Sequence, residues 1–167
     1  MDSTTLPEQR PSLRFLFAHP AHFLALGCGS GLSPWAPGTA GTLFALLTFP
    51  FLRPHFADFT LLALLAIAYL LGIWVIQITG RALGEPDHGS IVWDEIVPFW
   101  FVLTLTPDDW RWQLSAFALF RLFDIVKLPP AGWFDRNMKN GFGVMADDLV
   151  AAAYSIAVLA GLQYLLK

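Results

Sequence analysis

From Phe59 to Thr79 the sequence runs for 21 residues without Asp, Glu, Lys or Arg, and it closes on Gly80 and Arg81. A helix of that length reaches roughly 30 Å, the thickness of a bilayer's hydrocarbon core. The segment therefore reads as a membrane span, and the rest of the chain has to be threaded around it. Composition agrees. Of the 167 residues, 56% are hydrophobic and 14% charged, where soluble domains carry about a quarter charged residues.

Ile91–Leu105, Trp112–Val126 and Leu149–Leu166 read as three further spans. Residues 15–52 also lack acids, lysines and arginines, but Gly27, Gly29, Gly31, Pro34, Pro37, Gly38 and Gly41 break that run in its middle. We expect a short interfacial helix over 18–27, a glycine- and proline-rich loop to about Thr39, and a short apolar segment over 40–52. That last segment reaches only about 20 Å, so it either tilts across, with Arg53 snorkelling, or re-enters. The expected fold is all-α: a polytopic integral membrane helical bundle of four or five transmembrane helices. Residues 1–17 form a polar N-terminal tail and 18–167 a single membrane-embedded domain.

Arg10, Arg14, Arg81, Lys127, Arg136 and Lys139 fall on one side of this threading, and Arg53, Arg111 and Lys167 on the other. The excess places the N-terminus in the cytoplasm. Trp35, Trp93, Trp110, Trp112 and Trp133 fall near the expected interfaces. A net charge of −3 offers no basic field for nucleic acid. The single cysteine, Cys28, excludes an intrachain disulfide.

Five acids sit at the ends of apolar segments on the cytoplasmic side: Asp94, Glu95, Asp124, Asp147 and Asp148. Ionisable groups against hydrocarbon are expensive, which makes each a candidate functional group. With Ser90 as N-cap, Asp94 and Glu95 fall about a turn inside their helix, where the helix dipole accounts poorly for them. Asp147 and Asp148 also suit an N-cap and a first-turn acid of the last span. Arg121, Asp124 and Lys127 are spaced three apart and could form a salt-bridge ladder. Arg121, however, lies well inside an apolar helix and needs a partner or a phosphate.

The loop from Gly29 to Thr42 supplies backbone N–H groups and the hydroxyls of Ser30, Ser33 and Thr39, the makings of an anion cradle. It lacks the Lys-Ser/Thr ending of a nucleotide-binding loop. His88, in the turn 84–89, either contacts phosphate or is simply solvated; His19 and His22 read as interfacial. Oxygen ligands without a Cys/His set favour Mg²⁺ over zinc. Arg121, Lys127 and Arg136 can neutralise phosphate charge. Together these groups suit phosphoryl-group hydrolysis at a membrane surface, the cation clamping phosphate. The rival from another class is a carboxylate-based cation or proton transporter. Transporters place their sites near the midplane, often between repeats. Here the acids gather at one face and no repeat is visible.

Several ordered motifs resemble the phosphatidylglycerophosphatase A family. They are Gly29-Ser30-Gly31-Leu32-Ser33-Pro34 with Ala36-Pro37-Gly38-Thr39, and Asp87-His88-Gly89-Ser90-Ile91-Val92-Trp93-Asp94-Glu95. Phe120-Arg121 with Asp124 and Lys127, Trp133-Phe134-Asp135-Arg136-Asn137, and Gly143-Val144-Met145-Ala146-Asp147-Asp148 complete the set. The resemblance runs from about residue 20 to 153. One departure is Leu128, where the family commonly has proline. The resemblance implies Mg²⁺-dependent hydrolysis of phosphatidylglycerophosphate to phosphatidylglycerol and inorganic phosphate. It also implies a cytoplasm-facing site in the bacterial inner membrane, with the lipid substrate and the bilayer as partners. It adds Asp135 to the candidate acids. On this basis Asp94 and Asp148 are expected to hold Mg²⁺ with Asp124 or Asp147 assisting. Phosphate is expected on Arg121, Lys127, Arg136, His88 and the hydroxyls of Ser30, Ser33 and Thr39. The nucleophile is either water or an aspartate that becomes phosphorylated. A different lipid phosphate is the alternative substrate.

Overall fold

In a computed structural model covering residues 10–166, every regular element among the described residues is helical. Residues 1–9 of the expected tail, and Lys167, lie outside the described residues. Two short helices, α1 (Leu13–Leu16) and α2 (Pro20–Ala25), open the chain. A 3-10 turn over Gly27–Leu32 leads into α3 (Pro37–Leu52). There follow α4 (Asp58–Leu83), α5 (Trp93–Thr104), α6 (Trp110–Val126), a short α7 (Ala131–Asn137) and α8 (Gly141–Leu165). Of these, α4 and α8 are long and apolar enough to cross a membrane. The face of α4 carrying Phe59, Ile67, Leu70 and Trp74 is exposed, as a lipid-facing helix requires.

Helices in lipid gain little from hydrophobic burial against one another, so close packing of small residues matters more. The interfaces are built accordingly. A Cβ on Gly72 of α4 would lie 2.8 Å from Trp93 Cδ1 and 2.8 Å from Met145 Sδ, so α4, α5 and α8 meet there at a distance only glycine permits. Indole hydrogen bonds tie α5 to its neighbours: Trp93 Nε1 donates to the Ala68 carbonyl of α4 and Trp100 Nε1 to that of Ala45 on α3. Trp93 is thus buried in the bundle, whereas Trp35, Trp110 and Trp133 are exposed. His22 also packs within the protein. It is buried, stacks on Phe15 and shares a hydrogen bond of 3.1 Å with Thr79 Oγ1.

Two helix starts differ from expectation, and both bear on the acids. The last helix begins at Gly141, capped by Asn140, whose side chain accepts from Gly143 N–H. Asp147 and Asp148 therefore lie almost two turns inside α8 and cap nothing. An apolar-run criterion starts this helix at Leu149 because Asp147 and Asp148 interrupt the run. Conversely, α5 begins at Trp93 after Val92, with no side-chain cap and with Asp94 and Glu95 in its first turn. Ser90 is instead held in the preceding turn, its N–H donating to His88 Nδ1.

The N-terminal ends of α3, α5 and α8 and the C-terminal end of α6 carry the acids and their partners, and contacts among these helices bring them together.

Candidate active site

Glu95 and Asp124 share one cation. Arg121 Nη1 stands 2.7 Å from Glu95 Oε2 and 2.7 Å from Asp124 Oδ2, and all three side chains are largely buried. The i,i+3 spacing on α6 gives the second contact; the first crosses to α5. Thr42 on α3, fully buried, donates to Glu95 Oε2 at 2.9 Å. It was passed over in sequence because a threonine in an apolar helix usually bonds back to its own carbonyls. Here Gly38 O, 3.0 Å away, shares the single hydroxyl hydrogen with Glu95.

The second cation, Lys127, leaves the ladder. It does not continue to Asp124 but bridges Asp135 of α7 (2.8 Å) and Asp147 of α8 (2.6 Å). It ends α6 in the left-handed region at φ 48°. A lysine there is held against a backbone preference, as happens where surrounding contacts over-determine a residue. Burial acts to lower the ammonium's pKa, but the hydrogen bonds and charges of Asp135 and Asp147 outweigh it and hold it well above the ordinary lysine range. The hydrogen bond from Lys127 in turn holds the Asp135 carboxyl below its usual range, against a smaller opposing effect of burial. An ammonium has three N–H donors, and two are taken.

Asp147 accepts from Lys127 through Oδ2 and from the Asp148 N–H through Oδ1. Asp148 and Asp94 are nearly sealed from solvent. Asp148 interacts electrostatically with Asp124, Asp94 and Asp147, so acids from α5, α6 and α8 face one centre. Tyr69 of α4 lies within electrostatic reach of Asp147 and Asp148 and had no signal in sequence. Among the described residues, two buried side-chain atoms in this centre have no hydrogen-bond partner: Asp94 Oδ1 and Arg121 Nε. Pro98, four residues after Asp94, also has no N–H to return to the Asp94 carbonyl.

The remaining sequence candidates divide. Ser30 Oγ donates to Gly27 O, and Ser33 Oγ donates to Trp35 O. Both hydroxyl hydrogens are committed to their own loop, so a phosphate would have to displace those bonds. Thr39 is half-buried in the first turn of α3, and Arg136 is exposed on α7. His88 is buried, not solvated as a turn histidine would be. With Ser33, Ser90 and Arg10 it lines a cleft of about 210 Å³ beside the start of α3. A larger cavity of about 560 Å³, between Leu16, Phe17, Pro20, Phe23 and Leu24, is almost wholly apolar and lacks the acids.

Among the described residues no three His, Cys, Asp or Glu side chains converge tightly enough to cage a metal ion. That does not conflict with Mg²⁺, which is ordinarily held by one or two carboxylates plus water and substrate phosphate. The hard oxygen donors of Asp94, Asp124 and Asp148, with Asp94 Oδ1 lacking a partner, fit such an ion.

An all-helical bundle with two bilayer-length helices and a buried carboxylate–cation centre at one end defines a class of helical proteins with a polar site among apolar helices. The family model described as phosphatidylglycerophosphatase A matches residues 23–163. The chain belongs to that family. A phosphatidylglycerophosphatase A of Haemophilus influenzae is 42% identical over 160 residues, spanning 95% of this chain and 98% of that protein. That of Escherichia coli is 40% identical over 161 residues, spanning 93% and 92%. A Bacteroides thetaiotaomicron protein provisionally named phosphatidylinositol-3-phosphatase is 43% identical over 145 residues, spanning 82% and 89%. No solved structure matches the chain.

Proposed function

We propose that this protein is a multi-pass membrane phosphatase that hydrolyses the terminal phosphomonoester of phosphatidylglycerophosphate, releasing phosphatidylglycerol and inorganic phosphate. The observation that carries the reading is the pair of buried atoms without partners, one an acceptor on Asp94 and one a donor on Arg121. An unpaired buried polar atom costs about 1–3 kcal/mol. A ligand that is at once cationic and anionic, a divalent ion with a phosphate, satisfies both. Family membership supplies the substrate.

In this reading Asp94 and Asp148 would hold Mg²⁺ with Asp124 assisting, and the ion would supply charge neutralisation and polarisation of the phosphoryl group. Arg121 spends Nη1 on Glu95 and Asp124 and turns its Nε–Nη2 edge to the phosphate. Lys127 contributes its third N–H. Asp147, bonded to Lys127 through Oδ2 and to the Asp148 N–H through Oδ1, holds Lys127 in place. Asp94 is the acid with an open oxygen. The arrangement binds and orients the phosphate among apolar helices, where fixed charges act more strongly than in water.

The test is phosphate release by the purified chain from several lipid phosphates, with and without EDTA. We expect phosphatidylglycerophosphate to be hydrolysed fastest, activity to vanish with EDTA, and Mg²⁺ to restore it. Full activity in metal-free buffer would remove Mg²⁺ from the reading. A second reading, hydrolysis of a different lipid phosphate, is favoured by the Bacteroides relative's name; a higher kcat/KM on a phosphoinositide would establish it.

The same reading places four or five spans in the inner membrane with the site facing the cytoplasm, supported by the lysine and arginine asymmetry. Glu85 and Lys139 are exposed in the connections before α5 and α8. Cysteines at these two positions, in a Cys28→Ser background, should resist an impermeant thiol reagent in intact cells and react after lysis. Labelling of both from outside would invert the topology.

A further inference from the structure

The glycine-rich loop invites a role as a phosphate cradle, yet its geometry points elsewhere. A Cβ on Gly38 would overlap Glu95 Oε1 and stand 2.8 Å from Glu95 Cδ. One turn later a Cβ on Gly41 would lie 2.6 Å from Val92 Cβ. Thr42 completes this face of α3: its hydroxyl is 2.9 Å from Glu95 Oε2, 3.0 Å from Gly38 O and 3.5 Å from Arg121 Nη1. The first turns of α3 thus form a seat into which the Glu95 carboxylate fits, closed below by a hydroxyl and open above only because position 38 has no side chain.

We propose that Gly38 and Thr42 are positioning residues: they fix Glu95, and Glu95 with Thr42 fixes Arg121 Nη1, so that the Nε–Nη2 edge meets the substrate phosphate. The inference rests on the phosphatase reading above and deepens it. Arginine binds phosphate through two parallel N–H groups, and that geometry tolerates little rotation of the guanidinium plane. Nη1 stands 2.7 Å from an oxygen of both Glu95 and Asp124, and Nε is buried without a partner among the described residues. A guanidinium anchored at one nitrogen by two acids and a hydroxyl keeps its opposite edge in a fixed orientation. Neither Gly38 nor Thr42 is required to touch the substrate.

The experiment uses the full chain, purified in detergent, and compares Thr42→Val, Thr42→Ser and Gly38→Ala. The readouts are inhibition by inorganic phosphate, kcat/KM on the lipid substrate, and thermal unfolding. Valine keeps the volume and removes the hydroxyl; serine keeps the hydroxyl. The nearest atoms an alanine Cβ at 38 would meet belong to the Glu95 carboxyl end and not to backbone, and alanine favours helix over glycine, so that variant should fold even where Thr42→Val does not. We expect Thr42→Val and Gly38→Ala each to raise the phosphate inhibition constant about tenfold and to lower kcat/KM similarly, the scale of a small misplacement. Thr42→Ser should stay near wild type. An unchanged inhibition constant in folded Gly38→Ala, or a Thr42→Ser variant no better than Thr42→Val, overturns the proposal. If the wild-type protein releases no phosphate from any lipid phosphate, the phosphatase reading falls as well; an active wild type with unaffected variants removes the positioning role alone.

Discussion

Asp94→Asn should lower phosphate release at least about a hundredfold, the scale of removing one key electrostatic contribution to a transition state. The substitution preserves shape and removes a negative charge from a side chain that is 7% exposed and has an oxygen without a partner. Folding should survive, because a neutral amide is cheaper to bury than an unpaired carboxylate. Asp58→Asn is the control. Asp58 is exposed, pairs with Arg53 at the far end of α4, and should matter little. The measurement is turnover normalised to folded, membrane-inserted protein. Near-normal turnover in Asp94→Asn would give that acid a structural role and leave Asp124 and Asp148 to carry any cation.

Arg121→Lys should cost a further large factor for a different reason. An ammonium can still reach between Glu95 and Asp124, so the ion pairs persist in outline. The planar edge formed by Nε and Nη2 is lost, and lysine cannot replace a bidentate contact. We expect kcat/KM to fall about a hundredfold, about 2.7 kcal/mol of transition-state stabilisation, with the protein still folded. Arg121→Met should behave otherwise. It strands two buried carboxylates, and breaking a buried pair in this way typically destabilises by about 3–5 kcal/mol. Comparing turnover and thermal unfolding across the two variants separates gripping phosphate from neutralising acids. If Arg121→Lys turns over normally, Arg121 serves only its neighbours on α5 and α6.

Reading the sequence placed the long apolar helices well, because Phe59–Thr79 and Leu149–Leu166 announce themselves by the absence of charge. It also gathered the acids on one side. What it misjudged were the helix starts. Asn140 is a good N-cap, but the glycines at 141 and 143 read as loop; in the fold Gly141 packs against α4, where a Cβ would stand 3.1 Å from Gln77 N, and Gly143 against Met138. Tertiary pairings were equally hidden. Spacing alone offers Lys127 the neighbour three residues back, whereas α7 folds so that Asp135 and Asp147 take it. Thr42 carried no signal because its partner is 53 residues away. The hydroxyls of Ser30 and Ser33 bond their own loop, and in sequence such a hydroxyl looks the same as one awaiting a ligand.

In the proposed membrane placement, the early start of α8 lets two adjacent acids belong to a bilayer-length helix. At 1.5 Å per residue its 25 residues measure roughly 37 Å, about 7 Å more than the hydrocarbon they must cross. With exposed Tyr164 at the opposite boundary, where tyrosines sit well, the surplus corresponds to Gly141–Met145. Asp147 and Asp148 then lie at the plane where hydrocarbon gives way to headgroups. A phospholipid carries its own phosphates at about that level, so enzyme and substrate charges meet without either being drawn into oil or the lipid being lifted into water.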